Sequence, residues 1–97
     1  MDGAPTPSQG PRARPLVTLY TRVGCHLCDV VKDVIEQVRS ERDFDWVTLD
    51  IDEDPALVAL YDTEVPVVAI NGRKAFKYRV DPAALRDRID RADSAPA

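Results

Sequence analysis

The sequence predicts an α/β domain, a four-stranded mixed sheet with helices on both faces, in the order β-α-β-α-β-β-α. Three observations predict it. Short apolar, β-favouring runs alternate with segments of helical apolar periodicity. Asp54-Pro55 and Asp81-Pro82 each read as a helix start, aspartate as N-cap and proline in the first helical position. Asn71-Gly72 separates two strand-like runs, and both residues tolerate the positive φ of a type I′ hairpin turn.

The elements follow in order. Leu16 to Tyr20 is a short apolar strand, and Thr21 to Gly24 is a loop. A helix starts near Cys25. Its apolar stripe is Leu27, Val30, Val31, Val34, Ile35 and Val38, with Asp29, Lys32, Asp33, Glu36 and Arg39 on the other side. That stripe is rich in β-branched residues, so burial rather than propensity must hold the helix. The second strand is Phe44 to Ile51, with Val47, Leu49 and Ile51 on one face and Trp46, Thr48 and Asp50 on the other. Leu57, Leu60 and Tyr61 give the short second helix its apolar side. Val67 to Ile70, entered through Val65-Pro66, does not alternate, as expected of a strand buried on both faces. Lys74 to Val80 is the fourth strand, and Leu85 and Ile89 anchor the last helix. The βαβ unit joins its strands in parallel by a right-handed crossover, and the hairpin adds an antiparallel pair.

With 97 residues the chain forms one small domain. Residues 1–15 hold four of the eight prolines and no large apolar residue after Met1, so they are expected to be a disordered tail. The domain is placed at residues 16–91, and residues 92–97 are expected to be a second tail. The longest apolar stretch, Val65 to Ile70, is far short of the roughly 18 residues of a membrane span. A net charge of −4 argues against general phosphate-backbone binding. No membrane and no nucleic-acid partner is therefore expected. Two cysteines do not make a secreted disulfide scaffold, and the N-terminal residues lack the basic flank and apolar core of a signal peptide. A reducing, cytoplasmic setting is the expectation, and it makes the cysteine pair chemical rather than structural.

Cys25-His26-Leu27-Cys28 lies just after a strand and at the start of an amphipathic helix. A thiolate there meets unpaired backbone N–H groups and the positive end of the helix dipole. Such settings lower a cysteine pKa to roughly 3.5–7.5 from about 8.5. Cys25 is the outer residue and the candidate nucleophile. Cys28 lies one turn further in, within reach for a disulfide. Zinc is disfavoured on ligand count, because only His26 could join the two sulfurs. A pair of inert core cysteines is the other bland alternative.

Tyr20-Thr21-Arg22-x-x-Cys25-x-x-Cys28, Val65-Pro66 opening a strand, and the Asn71-Gly72 hairpin together resemble a glutaredoxin. The Cys-His-Leu-Cys-Asp form is most similar to the bacterial glutaredoxin-like small proteins. The resemblance covers Leu16 to Ile89 and implies a thioredoxin-like, glutaredoxin-type fold. It implies that Cys25 is the nucleophilic and Cys28 the resolving cysteine, and that Pro66 is a cis-proline facing the active site. Val65 would then offer its backbone N–H and C=O to an extended substrate. Arg22 matches a position that is often lysine near the thiolate, where it would acidify Cys25 or meet a substrate carboxylate. His26 would favour the thiolate when protonated or simply point to solvent. The sequence departs from the family where a Gly-Gly pair and an acidic residue hold glutathione, and has Phe76-Lys77-Tyr78-Arg79 instead.

The expected function is thiol–disulfide oxidoreduction of protein or small-molecule disulfides by a monomer. No cofactor is tightly bound on this reading, and a reducing thiol system (glutathione, another low-molecular-weight thiol or a protein thiol) regenerates the dithiol. The rival is a binding module on the same fold, docking a protein or holding an iron–sulfur cluster between two subunits. Asp50-x-Asp52-x-Asp54 lacks the glycine and final glutamate of a calcium loop and reads as a solvated linker plus an N-cap. Arg73, Lys74, Lys77 and Arg79 read as edge-strand charges that block pairing, or as a landing site for an acidic partner.

Overall fold

The computed structural model describes residues 14–94. Strands β1 (Leu16–Thr21), β2 (Asp45–Asp50), β3 (Val67–Ile70) and β4 (Arg73–Lys77) combine with helices α1 (His26–Arg39), α2 (Pro55–Tyr61) and α3 (Pro82–Ser94). A single 3₁₀ turn, Ile51–Glu53, links β2 to α2. The strands lie in the order β2-β1-β3-β4, with β1 and β2 parallel and the other two pairs antiparallel. The mixed sheet and its element order are those the sequence predicts.

One face of the sheet carries the core. Val17, Leu19, Val68 and Ile70 of the sheet meet Val31, Ile35 and Val38 of α1 and Leu85 and Ile89 of α3, with Phe44 and Val80 closing the ends. Burying each such aliphatic side chain contributes about 1.5–3 kcal/mol, enough to offset the weak helix propensity of the valines in α1. Against the other face α2 sets Tyr61 on Tyr20, ring centroids 4.7 Å apart. No helix among the described residues is long and apolar enough to cross a membrane.

The turns follow local chemistry. Asn71 and Gly72 both have positive φ, 53° and 83°, as a type I′ turn requires. Asn71 also exchanges hydrogen bonds with Leu16, its N–H donating to the carbonyl (2.8 Å) and its Oδ1 accepting the amide (2.9 Å). Asp54 caps α2 by accepting the N–H of Ala56, and Asp81 accepts that of Ala84.

Several boundaries and faces differ from the expectation. The folded unit begins before Leu16: Pro15 is fully buried and its carbonyl accepts the N–H of Asp45. α3 runs past Arg91 to Ser94, and Ala92 packs on the core, so the C-terminal tail cannot start at 92. Residues 1–13 and 95–97, assigned to tails, lie outside the described residues. On β2 it is Trp46 that packs against the core, while Val47 and Leu49 face outward and are exposed. Alternation separates the two sets without saying which lies inside, and the register decides it by pairing Trp46 with the inward Val17. β4 stops at Lys77 because Tyr78 turns into the left-handed region, φ 67°. Ala75 is the extra residue of a bulge in the pairing with β3, and it is the positive φ of Tyr78 that ends a strand expected to run to Val80. On α2, Leu60 is exposed, and Leu57, Val58 and Tyr61 are the half-buried residues.

Candidate active site

The parallel pair β1 and β2 ends at one pole of the sheet. There the chain leaves β1 through a β-turn, Arg22 to Cys25, closed by the Cys25 N–H on the Arg22 carbonyl at 3.2 Å. Gly24 holds φ 83° in its third position, which a side chain would strain. Cys25 is then the N-cap of α1, with extended φ and ψ of −87° and 105°. Its Sγ accepts the N–H of Cys28 at 3.1 Å, the hydrogen bond that a serine or aspartate makes at other helix starts. Cys25 and Cys28 form a disulfide with Cα atoms 5.3 Å apart. The two sulfurs differ in access: Cys25 is half-buried, whereas Cys28 is 1% exposed. His26 lies exposed in the first turn.

β3 enters this pole from the other side. Tyr20 pairs with Val67, so Val65 and Pro66 lie at the same end of the sheet as the Arg22–Cys25 turn. The Val65-Pro66 peptide bond is cis. Pro66 is buried and its carbonyl accepts the N–H of Tyr78 at 2.8 Å. Among the described residues no backbone hydrogen bond uses the N–H or C=O of Val65.

Asp62, Thr63 and Glu64, which the sequence did not single out, take part in the contacts that brace these loops. Arg22 places Nε and Nη2 on the Asp52 carboxylate (3.1 and 2.8 Å). Its Nη1 meets both the Asp62 carboxylate (2.8 Å) and the Asp62 carbonyl (3.0 Å). All three guanidinium nitrogens are thus engaged by two carboxylates rather than aimed at a thiolate or left for a substrate. The hydrogen bonds from Asp52 and Asp62 hold the guanidinium above its ordinary pKa, and Arg22 in turn holds the Asp52 carboxyl below the usual carboxylate range. Tyr78 Oη donates to the Thr63 carbonyl at 3.1 Å, and Lys74 pairs with Glu64. Three side chains, Arg22, Lys74 and Tyr78, therefore tie down residues 62–64, the segment that leads into Val65-Pro66. The signal in the sequence was the acidic run itself. Asp50 and Asp54 cap a turn and a helix, which leaves Asp52 as the member with a long-range partner.

The Asp52 shift has a testable sign. Its folded pKa is depressed, so its share of stability is present above the ordinary aspartate value of about 4 and is lost as pH falls through the lower folded value. Urea unfolding between neutral pH and about pH 3 is expected to show a smaller acid loss in Asp52→Asn than in the natural chain. Equal acid slopes in the two proteins would mean that the Arg22 contact does not bias folding.

The family model for the Glutaredoxin-like domain (DUF836) matches residues 16–90. The chain belongs to this family. The glutaredoxin-like domain is 36% identical over 85 residues to an uncharacterized protein of Mycobacterium tuberculosis, covering 82% of this chain and 88% of that one. Among solved structures it is similar to a structural-genomics target protein from X. campestris, with 34% identity, a TM-score of 0.66, and coverage of 82% of this chain and 99% of that chain. A variant thioredoxin from Halobacterium salinarum shares the fold at 21% identity and a TM-score of 0.65, over 87% of this chain and 79% of its own. The glutaredoxin-like domain is thus a thioredoxin-like fold carrying a Cys25–Cys28 pair at a helix start. Within Phe76 to Arg79, Tyr78 adopts the positive φ that glycine favours. Of the basic run, Lys74 has its Glu64 partner, whereas Arg73, Lys77 and Arg79 have no carboxylate within 4.0 Å among the described residues. No group of three or more His, Cys, Asp or Glu side chains among the described residues is arranged to hold a metal ion.

Proposed function

We propose that the protein is a thiol–disulfide oxidoreductase that works through both cysteines. The observation that carries this reading is the placement of the pair. The Cys25 sulfur sits at the N-cap of α1, half-open to solvent, and accepts the N–H of Cys28, whose own sulfur is buried behind it. In the reduced protein the same N–H and the helix dipole favour the Cys25 thiolate over the thiol.

The electron count closes on the two sulfurs. The Cys25 thiolate attacks one sulfur of a substrate disulfide, forming a mixed disulfide and expelling the other half as a thiolate, which takes a proton from water. Cys28, deprotonated, attacks the Cys25 sulfur, forms the internal disulfide and expels the second half. Two electrons have moved from the dithiol to the substrate. A low-molecular-weight or protein thiol then returns them in a second exchange. Val65, whose backbone N–H and C=O make no hydrogen bond to the other described residues, suits an extended substrate segment laid beside the sulfurs.

The test is stoichiometric. Fully reduced protein mixed with hydroxyethyl disulfide is expected to lose both thiol hydrogens by mass spectrometry while releasing two mercaptoethanol molecules per chain. Protein that keeps its thiols under these conditions would overturn the assignment. Visible absorption after anaerobic purification, with thiols still unreactive, would move it to iron–sulfur binding.

A further inference from the structure

The apolar stripe of α1 is wider than the core needs. Cys28, Val31, Ile35 and Val38 are buried, but Leu27 is 45% and Val30 58% exposed. With Val34 they form the wall of a groove of about 240 Å³, whose other wall is Tyr78, Arg79 and Val80. The groove starts at the redox pair: Leu27 stands between the two cysteines, and Tyr78 is hydrogen-bonded to the Pro66 carbonyl. Val23, 86% exposed in the turn before Cys25, adds another apolar side chain at this pole. Contiguous exposed apolar surface of this kind marks an interaction site.

Its charge identifies the occupant. No carboxylate lines the groove, and Arg79 does. Lys77 stands at the same lip, its Nζ 5.4 Å from the Tyr78 ring centroid. Among the described residues Arg79 has no carboxylate within 4.0 Å, and Lys77 acts on Glu64 only at longer range than an ion pair; Lys32, Arg39, Arg73 and Arg88 also lack an ion pair, but none of these four lines the groove. In a chain of net charge −4, this groove is thus a locally cationic place: Arg79 lines it, Lys77 stands beside it, and no carboxylate lines it. We infer that the α1–Tyr78 groove docks an extended polypeptide segment in which apolar side chains alternate with carboxylates, and so selects acidic, apolar protein partners for the adjacent disulfide. The inference rests on the proposed exchange reaction for its purpose, but its geometry does not need turnover.

The test is binding to the oxidised full-length chain. The probe is a synthetic peptide alternating leucine and phenylalanine with aspartate and glutamate. Its counterpart has lysine in place of each acid. Overall charge favours the lysine peptide, and the groove favours the acidic one, so the two fields oppose each other. The acidic peptide is expected to bind at least about tenfold more tightly at low salt, with amide shifts centred on Leu27, Val30 and Arg79. Val30→Asp and Arg79→Glu are each expected to weaken it about tenfold, and Leu60→Asp, on the exposed side of α2, to leave it unchanged. Equal or reversed preference, no binding, or shifts centred on Val47 and Leu49 would overturn the inference. Concentration-dependent self-association through Val30 would overturn it too, by making a second copy the occupant. Binding without any disulfide reduction would sink the proposed reaction and leave the groove assignment intact. Reduction with no preference between the peptides would do the opposite.

Discussion

Cys25→Ser is expected to abolish disulfide reduction, and Cys28→Ser to stop the reaction at a mixed disulfide on Cys25. The asymmetry follows from access and from position on the helix. A serine hydroxyl is not ionised at neutral pH and cannot replace the thiolate as nucleophile. The remaining Cys28 sulfur in Cys25→Ser is 1% exposed, so an external disulfide cannot approach it along the line of attack. In Cys28→Ser the outer sulfur still attacks, but nothing inside the protein expels the bound half. The adduct is read by mass spectrometry on the intact chain. Alkylation rate against pH in the reduced natural protein is expected to give Cys25 the lower apparent pKa, because it is the N-cap that meets the free N–H groups of α1. Wild-type turnover by Cys28→Ser would show a monothiol route. Residual turnover by Cys25→Ser would move the nucleophile to Cys28 and contradict the role read from the N-cap.

The chemistry at this pole was legible because it is local. A strand, a short loop with Gly24 and a cysteine at the helix start are neighbours in the chain, and backbone physics alone sets their geometry. The Asn71-Gly72 turn and the Asp54 cap were legible for the same reason. What periodicity could not settle was which apolar residues the tertiary structure would cover. Leu27 and Val30 fit the helical stripe as well as Val31 does, but the α3 and sheet contacts reach only one side of it. Trp46 rather than Val47 and Leu49 faces the core because parallel register with β1, a long-range property, chose the face. Arg22 was legible as a cation near the thiol. Asp52 stands in a visible acidic run, but it and Asp62 reach Arg22 from across two loops, so the pairing itself is a tertiary property that no local pattern announces.

The largest stability effect is expected at the far end of the sheet, in Phe44→Ala. Phe44 is fully buried and lies immediately before β2, where Asp45 pairs with Leu16 at the start of β1. Cys25 follows the opposite end of β1. Removing a buried phenylalanine ring costs about 3–5 kcal/mol, from lost transfer energy plus the cavity left behind. A domain of this size has roughly 4–12 kcal/mol in total. The Arg39 guanidinium, 5.9 Å from the ring centroid, also loses its aromatic partner. Urea unfolding of the oxidised variant is expected to show that loss as a lower midpoint with an unchanged slope. The folded fraction that remains should keep the Cys25 alkylation profile of the natural protein, because no hydrogen bond of the redox pole involves Phe44. A loss under about 1 kcal/mol would mean the ring is not enclosed as described. A displaced alkylation profile in still-folded protein would show that the two poles are mechanically coupled through β1, and that the helix start is set by the core beneath it as much as by its own turn.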